Sequence, residues 1–182
     1  MNRVVITGMG AVTPIGKTVE ESWEALKKGE NGIDKITHFD ISEQKCKMGA
    51  EVKDFDYPDK RAARRMDRSS QFAVTAAGEA LADSGIKSGE NVASERFGIM
   101  AGTGIGGIMT LEEQVTKATK KESVKGVSAL LVPMVISNMI GGNLAMQFKA
   151  KGSCLGIVSA CSAGTHSIGE AYRNIKHGYA DV

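Results

Sequence analysis

Glycine stands in this chain where short apolar runs give way to helical patterns, and that placement narrows the folds open to it. Val4-Val5-Ile6-Thr7 runs into Gly8-Met9-Gly10, and Phe97 to Ala101 runs into Gly102-Thr103-Gly104-Ile105-Gly106-Gly107. Gly156-Ile157-Val158-Ser159-Ala160 runs into Cys161-Ser162-Ala163-Gly164. A β-branched or small apolar run stopped by turn residues reads as a strand, so strands are expected over Arg3–Thr7, Phe97–Ala101 and just before Cys161. Thr18 opens a helix with Glu21 at the capping-box spacing, and Gly29 closes it after Trp23 and Leu26. A long helix is expected from Arg61 to Ser84, with Phe72, Ala76, Ala80 and Leu81 on one face and Gly85 as its stop. Further helices are expected near Met109 to Lys121, from Pro133 to about Phe148, and from Cys161 to a stop at Gly178, with residues 30 to 58 irregular. The Pro133 helix is apolar nearly all round, so most of it should be buried. Strands alternating with helices argue for an α/β sheet with helices on its faces.

At 182 residues and 42% hydrophobic side chains, the chain can fill one domain core. A net charge of +2 is too small to imply nucleic acid. Three cysteines, Cys46, Cys154 and Cys161, are odd in number and lack metal-ligand spacing, which points to neither a disulfide framework nor a metal site. The N-terminus enters Val4-Val5-Ile6-Thr7-Gly8 with no signal-peptide pattern, and no stretch approaches the ~20 apolar residues of a membrane helix. A cytoplasmic protein with no membrane association is expected.

Cys161 is the candidate for chemistry. Free N–H groups and the positive end of a helix dipole suit an anion at a helix start, and the thiolate is the form of cysteine that attacks carbonyls. Its small neighbours leave room for a substrate carbonyl, and its own N–H could stabilise an oxyanion. The competing reading is a buried, inert cysteine at a packed junction. Gly102, Gly104 and Gly107 fit the G-x-G-x-x-G dinucleotide fingerprint, but the acidic residue it requires has no good candidate: Glu122 sits in a Lys-rich stretch. A loop whose bare backbone admits a ligand or another segment is the better reading.

Ala160-Cys161-Ser162-Ala163-Gly164-Thr165-His166-Ser167-Ile168-Gly169 and the opening Val4 to Gly16 resemble the β-ketoacyl-acyl-carrier-protein synthases, among them the type II fatty-acid elongating members. The resemblance continues through Arg64-Arg65-Met66-Asp67, Gly102 to Gly107, Val132-Pro133 and Asn138-Met139, in order along the chain. Gly152-Ser153 departs from the family's Gly-Pro, and Leu130 and Leu131 replace two bulky aromatics.

The resemblance implies a thiolase-like fold, with residues 1–182 as the N-terminal half of a layered α-β-α-β-α stack that carries the nucleophile. It implies a two-stage Claisen condensation without cofactor or metal. Cys161 takes an acyl group from an acyl carrier protein, and malonyl carrier protein is decarboxylated to a carbanion that attacks the thioester. The family's two catalytic histidines, supporting lysine and second oxyanion donor belong to a C-terminal half absent here, and Tyr179 to Val182 reads as a strand cut short. His166, about 140° round the helix from Cys161, points away from the thiol; His38 and His177 read as surface residues. These residues alone are therefore expected not to condense substrates, and an uncovered apolar face should invite association.

Lys60, Arg61, Arg64, Arg65 and Arg68 form a basic run. By resemblance Arg61, Arg64, Arg65 and Lys125 contact the acidic carrier protein; the alternative is a solvated helix face. Ile105 falls where the family's acyl chain passes, with core packing as the rival role, and Leu131 falls where a residue reaches across a homodimer interface into the partner's pocket. Asp67 reads as pairing with a neighbour at helical spacing. Two other functions stay open: a cysteine acyl hydrolase, which would need a nearby His and Asp, and a non-catalytic acyl-binding or dimerising module.

Overall fold

The computed structural model describes residues 1–182. Helix α1 (Val19–Lys27) is followed by strands β1 (Ile33–Lys35) and β2 (Met48–Ala50), and helices α2 (Lys60–Ala63) and α3 (Arg68–Ser84) come next. Strand β3 (Ile99–Gly102) leads to helices α4 (Ile108–Lys120), α5 (Leu131–Val135) and α6 (Met139–Phe148), and strand β4 (Cys154–Ile157) to helix α7 (Ala163–Lys176). β3 and β4 pair in parallel with Ile99 opposite Cys154 and Gly102 opposite Ile157, while β1 and β2 form an antiparallel pair. The α/β class read from the sequence is what forms.

The core lies between α3, α6 and β3, where Tyr57, Met66, Val74, Ala101, Ile140 and Leu144 meet. Helix α3 is covered on several sides. Val74 and Ser70 are its buried residues, Phe72 stacks edge-on against Phe55, and the backbone at Ala76 and Ala80 lies against the N-terminal segment. The core-facing side of α3 is the one carrying Ser70, Ala73, Val74 and Ala77.

Several expected elements differ. Arg3–Thr7 joins no ladder; the segment that follows is tied to α3 instead, where Met9 and Ala11 donate their N–H groups to the carboxylates of Asp83 and Glu79 at 3.0 and 2.9 Å. A Cβ at Gly10 would stand 1.8 Å from the Ala76 carbonyl oxygen, so only glycine lets the backbone lie this close. The expected 61–84 helix breaks at Arg64–Asp67, because Asp67 caps α3 and Gln71 donates to the carbonyls of Ala63 and Met66. The expected 133–148 helix breaks at Ile136–Asn138, with the Asn138 backbone against Gly156. Ile140, Gly141 and Leu144 of α6 are buried, but Met146 is exposed. Thr18 caps α1 as expected, whereas Glu21 reaches back to the Lys17 N–H, one residue before the capping-box position. Residues 30 to 58, read as irregular, hold β1 and β2. The end of the chain runs beside β3, with the Gly98 N–H donating to the Val182 carbonyl at 2.8 Å.

The accessible surface is 11858 Å², against roughly 8,400 Å² for a compact monomer of this mass. Large apolar side chains, among them Ile6, Trp23, Val124, Met146, Ile168 and Tyr179, are exposed. No helix is long and apolar enough to cross a membrane.

Candidate active site

The parallel pairing of β3 and β4 sends both chains out of the sheet at one end, the edge where α/β folds build their sites. Ile157 ends β4, and a single turn of 3-10 helix, Ala160–Ser162, joins it to α7. Cys161 sits on that turn and is exposed, so the buried reading of this cysteine does not hold. Ala160 has φ 49°, a left-handed conformation that costs a residue with a Cβ roughly 1 kcal/mol. α7 begins at Ser162 without a side-chain cap, and the corner's backbone bonds, Ser162 N–H to Ser159 O and Ala163 N–H to Ala160 O, do not use the Cys161 N–H.

The glycine loop leaves the same end of the sheet, with the Thr103 N–H donating to the Ile157 carbonyl at 3.1 Å. At Gly102 a Cβ would stand 2.4 Å from the Ala163 carbonyl oxygen and 2.6 Å from Ser167 Oγ, so the bare backbone lets β3 pack against the first turn of α7. The loop's amides serve its own fold: Gly106 N–H donates to Thr103 Oγ1 and Gly107 N–H to the Val135 carbonyl. That use does not suit a phosphate cradle. Ile105, at the loop's tip, is 68% exposed. Leu131 is half-buried at the start of α5, the opposite end from Val135, which the loop touches.

The basic run divides by environment. Lys60 pairs with Asp56, and the Arg68 guanidinium lies 4.9 Å from the Phe72 ring centroid and donates to the Val52 carbonyl. Arg61, Arg64 and Arg65 are exposed and join none of the ion pairs, as does Lys125 on the loop after α4. Asp67 does not pair with an arginine. Its residue is only 4% exposed; Oδ1 accepts from the N–H and Oγ of Ser69, and Oδ2 from the N–H and Oγ1 of Thr110. Burial pushes this carboxyl up, but the bonds from Thr110 and Ser69 outweigh it and hold it below the ordinary carboxylate value. Asp67 thereby ties the basic segment to the start of α4, just after the glycine loop. The sequence reading missed this link; the only local signal was an Asp two residues before Ser69, at capping spacing.

His166 Nδ1 lies 2.7 Å from Ser159 Oγ, so its ring is engaged with the end of the strand. His38 is exposed beside Glu51, and His177 caps the C-terminus of α7. Cys154 is exposed as a residue, yet its sulfur faces Gly141 of α6, and burial pushes the thiol up. No group of acidic, His and Cys side chains is placed to hold a metal ion.

Over residues 1–182 the chain matches the family model of the β-ketoacyl synthase N-terminal domain. It is 45% identical over 181 residues to the 3-oxoacyl-[acyl-carrier-protein] synthase 2 of Synechocystis sp., covering 98% of this chain and 43% of that protein. Among solved structures, a β-ketoacyl synthase from Burkholderia phymatum superposes with a TM-score of 0.85 at 30% identity, covering 99% of this chain and 45% of the other. The ishigamide ketosynthase/chain length factor superposes with a TM-score of 0.87 at 25% identity, covering 97% and 44%. The fold is thus the thiolase-like fold of ketosynthases, and the chain spans less than half the length of the relatives it matches.

Proposed function

The chain belongs to the β-ketoacyl synthases, within their N-terminal domain, and on that premise we propose that it supplies the acyl-accepting cysteine of a fatty-acid elongating synthase. The observation that supports this reading is the exposed Cys161 on a strained turn ahead of an uncapped helix. The Cys161 thiolate attacks the carbonyl of an acyl thioester on a carrier protein; the tetrahedral oxyanion collapses, expels the carrier's thiolate and leaves the acyl group on Cys161. The Cys161 N–H is the oxyanion donor this chain offers. Malonyl carrier protein then loses CO₂, and the resulting carbanion attacks the Cys161 thioester, returning the thiolate and forming the 3-oxoacyl product.

The second stage needs neutral donors around the enolate oxygen. The chain's three histidines are committed elsewhere or exposed, so residues 1–182, as an N-terminal thiolase-like half-domain, accept an acyl group without condensing it. Ile105 lines the acyl path, and Leu131 reaches a second copy across a homodimer interface. Arg61, Arg64, Arg65 and Lys125, free of acidic partners, receive the acidic carrier protein. Exposed free cysteines fit the reducing cytoplasm as the place of work. The hydrolase reading has no support, because His166, the histidine nearest Cys161 in sequence, is turned to Ser159. The large exposed apolar surface does favour an associating module for the chain on its own.

The test is incubation with an acylated carrier protein, followed by fragment-ion sequencing of the tryptic peptides, because Cys154 and Cys161 share the peptide 152–173. An acyl adduct on Cys161 and no release of CO₂ from malonyl carrier protein are expected. An adduct confined to Cys46 or Cys154 defeats the assignment of the nucleophile, and turnover of malonyl carrier protein by this chain defeats the division of labour. Reversing Arg61, Arg64 and Arg65 to Glu should weaken carrier binding and remove most of its salt dependence; unchanged affinity at low salt refutes the docking patch.

A further inference from the structure

We propose that Ser159 and His166 form a clamp that positions Cys161, an inference that rests on reading Cys161 as the acyl acceptor. Both sides of the corner are fixed. β4 is held by its ladder with β3, and the first turn of α7 is held by Ala163 and Ser167, buried where β3 ends. The segment between them is held only by the turn's own backbone bonds, Ser162 N–H to Ser159 O and Ala163 N–H to Ala160 O. Val158 is exposed, Ala160 is in the left-handed region, and Cys161 and Ser162 are exposed. The bond between Ser159 Oγ and His166 Nδ1, 2.7 Å long, spans this segment from the last residue before the strained one to the first turn of the helix. It is the one side-chain hydrogen bond across the corner, and Cys161 lies inside the loop it closes. Ser159 and His166 are positioning residues: they fix the path of the Ala160–Ser162 turn, and with it the angle between the thiol and the Cys161 N–H. An oriented attack depends on that angle, whereas reaction with a small electrophile does not.

The experiment compares two reactions of Cys161 in the chain carrying Cys154→Ser, both followed on the tryptic peptide 152–173: acyl transfer from a long-chain acyl-pantetheine thioester, and alkylation by iodoacetamide. Ser159→Ala and His166→Phe should each slow acyl transfer about tenfold. Their combination should be no slower than either alone, because the two side chains act as one unit. Ser159→Thr, which keeps the hydroxyl, should retain the parent rate within about twofold, and alkylation should stay within about twofold in every variant. Unchanged acyl transfer in Ser159→Ala and His166→Phe overturns the clamp and leaves the acceptor reading standing. Equal slowing of both reactions also overturns the clamp, since it marks a general loss of structure. A parent chain that is alkylated but never acylated removes the acceptor reading and the clamp with it.

Discussion

Helix α3 and helix α7 begin on either side of the glycine loop's surroundings, and their starts are built in opposite ways. Asp67 at the head of α3 is buried and accepts from two residues, Ser69 within the helix and Thr110 on α4, so the start is closed and cross-tied. The head of α7 has no side-chain cap, is preceded by a left-handed alanine, and exposes Cys161. A capped, buried start contributes stability because its amides are satisfied internally. An open start forgoes that and leaves backbone donors beside the thiol for an incoming oxygen. The side-chain cross-links gather at the Asp67 junction, one loop away from the exposed corner that carries Cys161.

The largest effect should come from Gly102→Ala, which strikes the packing that both starts share. The added methyl meets the Ala163 carbonyl and Ser167 Oγ, contacts that cannot yield without moving β3 off α7. A loss of about 3 kcal/mol in chemical denaturation is expected, together with loss of acyl transfer to Cys161. A variant as stable as the parent would mean that α7 is not seated on β3 as described.

Asp67→Asn comes next. An amide can accept on one side only, so one set of donors, from Ser69 or Thr110, is left facing an NH₂ group, at a cost of about 2 kcal/mol. The sign of the pH dependence follows from the carboxyl's folded value, which lies below its ordinary 3.8. The stabilisation is complete above that ordinary value and is lost as pH falls through the lower folded value. The parent should therefore lose stability in this acid range more steeply than Asp67→Asn, as followed by thermal melts. Parallel profiles would remove Asp67 from its role. The Cys161 alkylation rate should not change, because the two starts share no side-chain bond.

A smaller contrast separates the cysteines. Burial pushes the Cys154 thiol up and its sulfur faces Gly141 of α6, so near neutral pH it should be alkylated more slowly than the exposed Cys161. Equal labelling by a limiting amount of iodoacetamide would mean that the corner gives Cys161 no kinetic advantage.

What the sequence made legible follows the range of the forces involved. The order β3, glycine loop, α4 and the order β4, Cys161, α7 were readable because apolar runs, glycines and helix patterns act over a few residues. The family was readable because those segments recur in order. The breaks at Arg64–Asp67 and Ile136–Asn138 were not, since the apolar pattern runs through both. The first comes with Asp67 capping α3 while Thr110, far along the chain, bonds its other oxygen, and the second accompanies close contact between Asn138 and Gly156. Arg3–Thr7 carries strand-forming residues, but a strand also needs a partner, and the adjoining segment bonds to helix carboxylates instead. Asp67 was misjudged because its partners are hydroxyl and amide groups, which a search for opposite charges does not reveal.

Ala160→Gly tests the open start most finely, because the two halves of the substitution's effect point in opposite directions. Removing the Cβ relieves a left-handed strain of roughly 1 kcal/mol, while glycine's extra freedom in the unfolded chain takes back about 0.5 kcal/mol or more. Ala160 is exposed, so its methyl contributes little packing. The net change in stability should be a gain of about 0.5 kcal/mol or less. Acyl transfer should nevertheless slow about two- to threefold, because a glycine at this position lets the turn leave the one path that aligns the thiol with its own N–H. Stability and rate moving in opposite directions would show that the strain at Ala160 restricts the corner to its working geometry; a variant both more stable and faster would mean that the strain is incidental and that the Ser159–His166 bond alone fixes the turn.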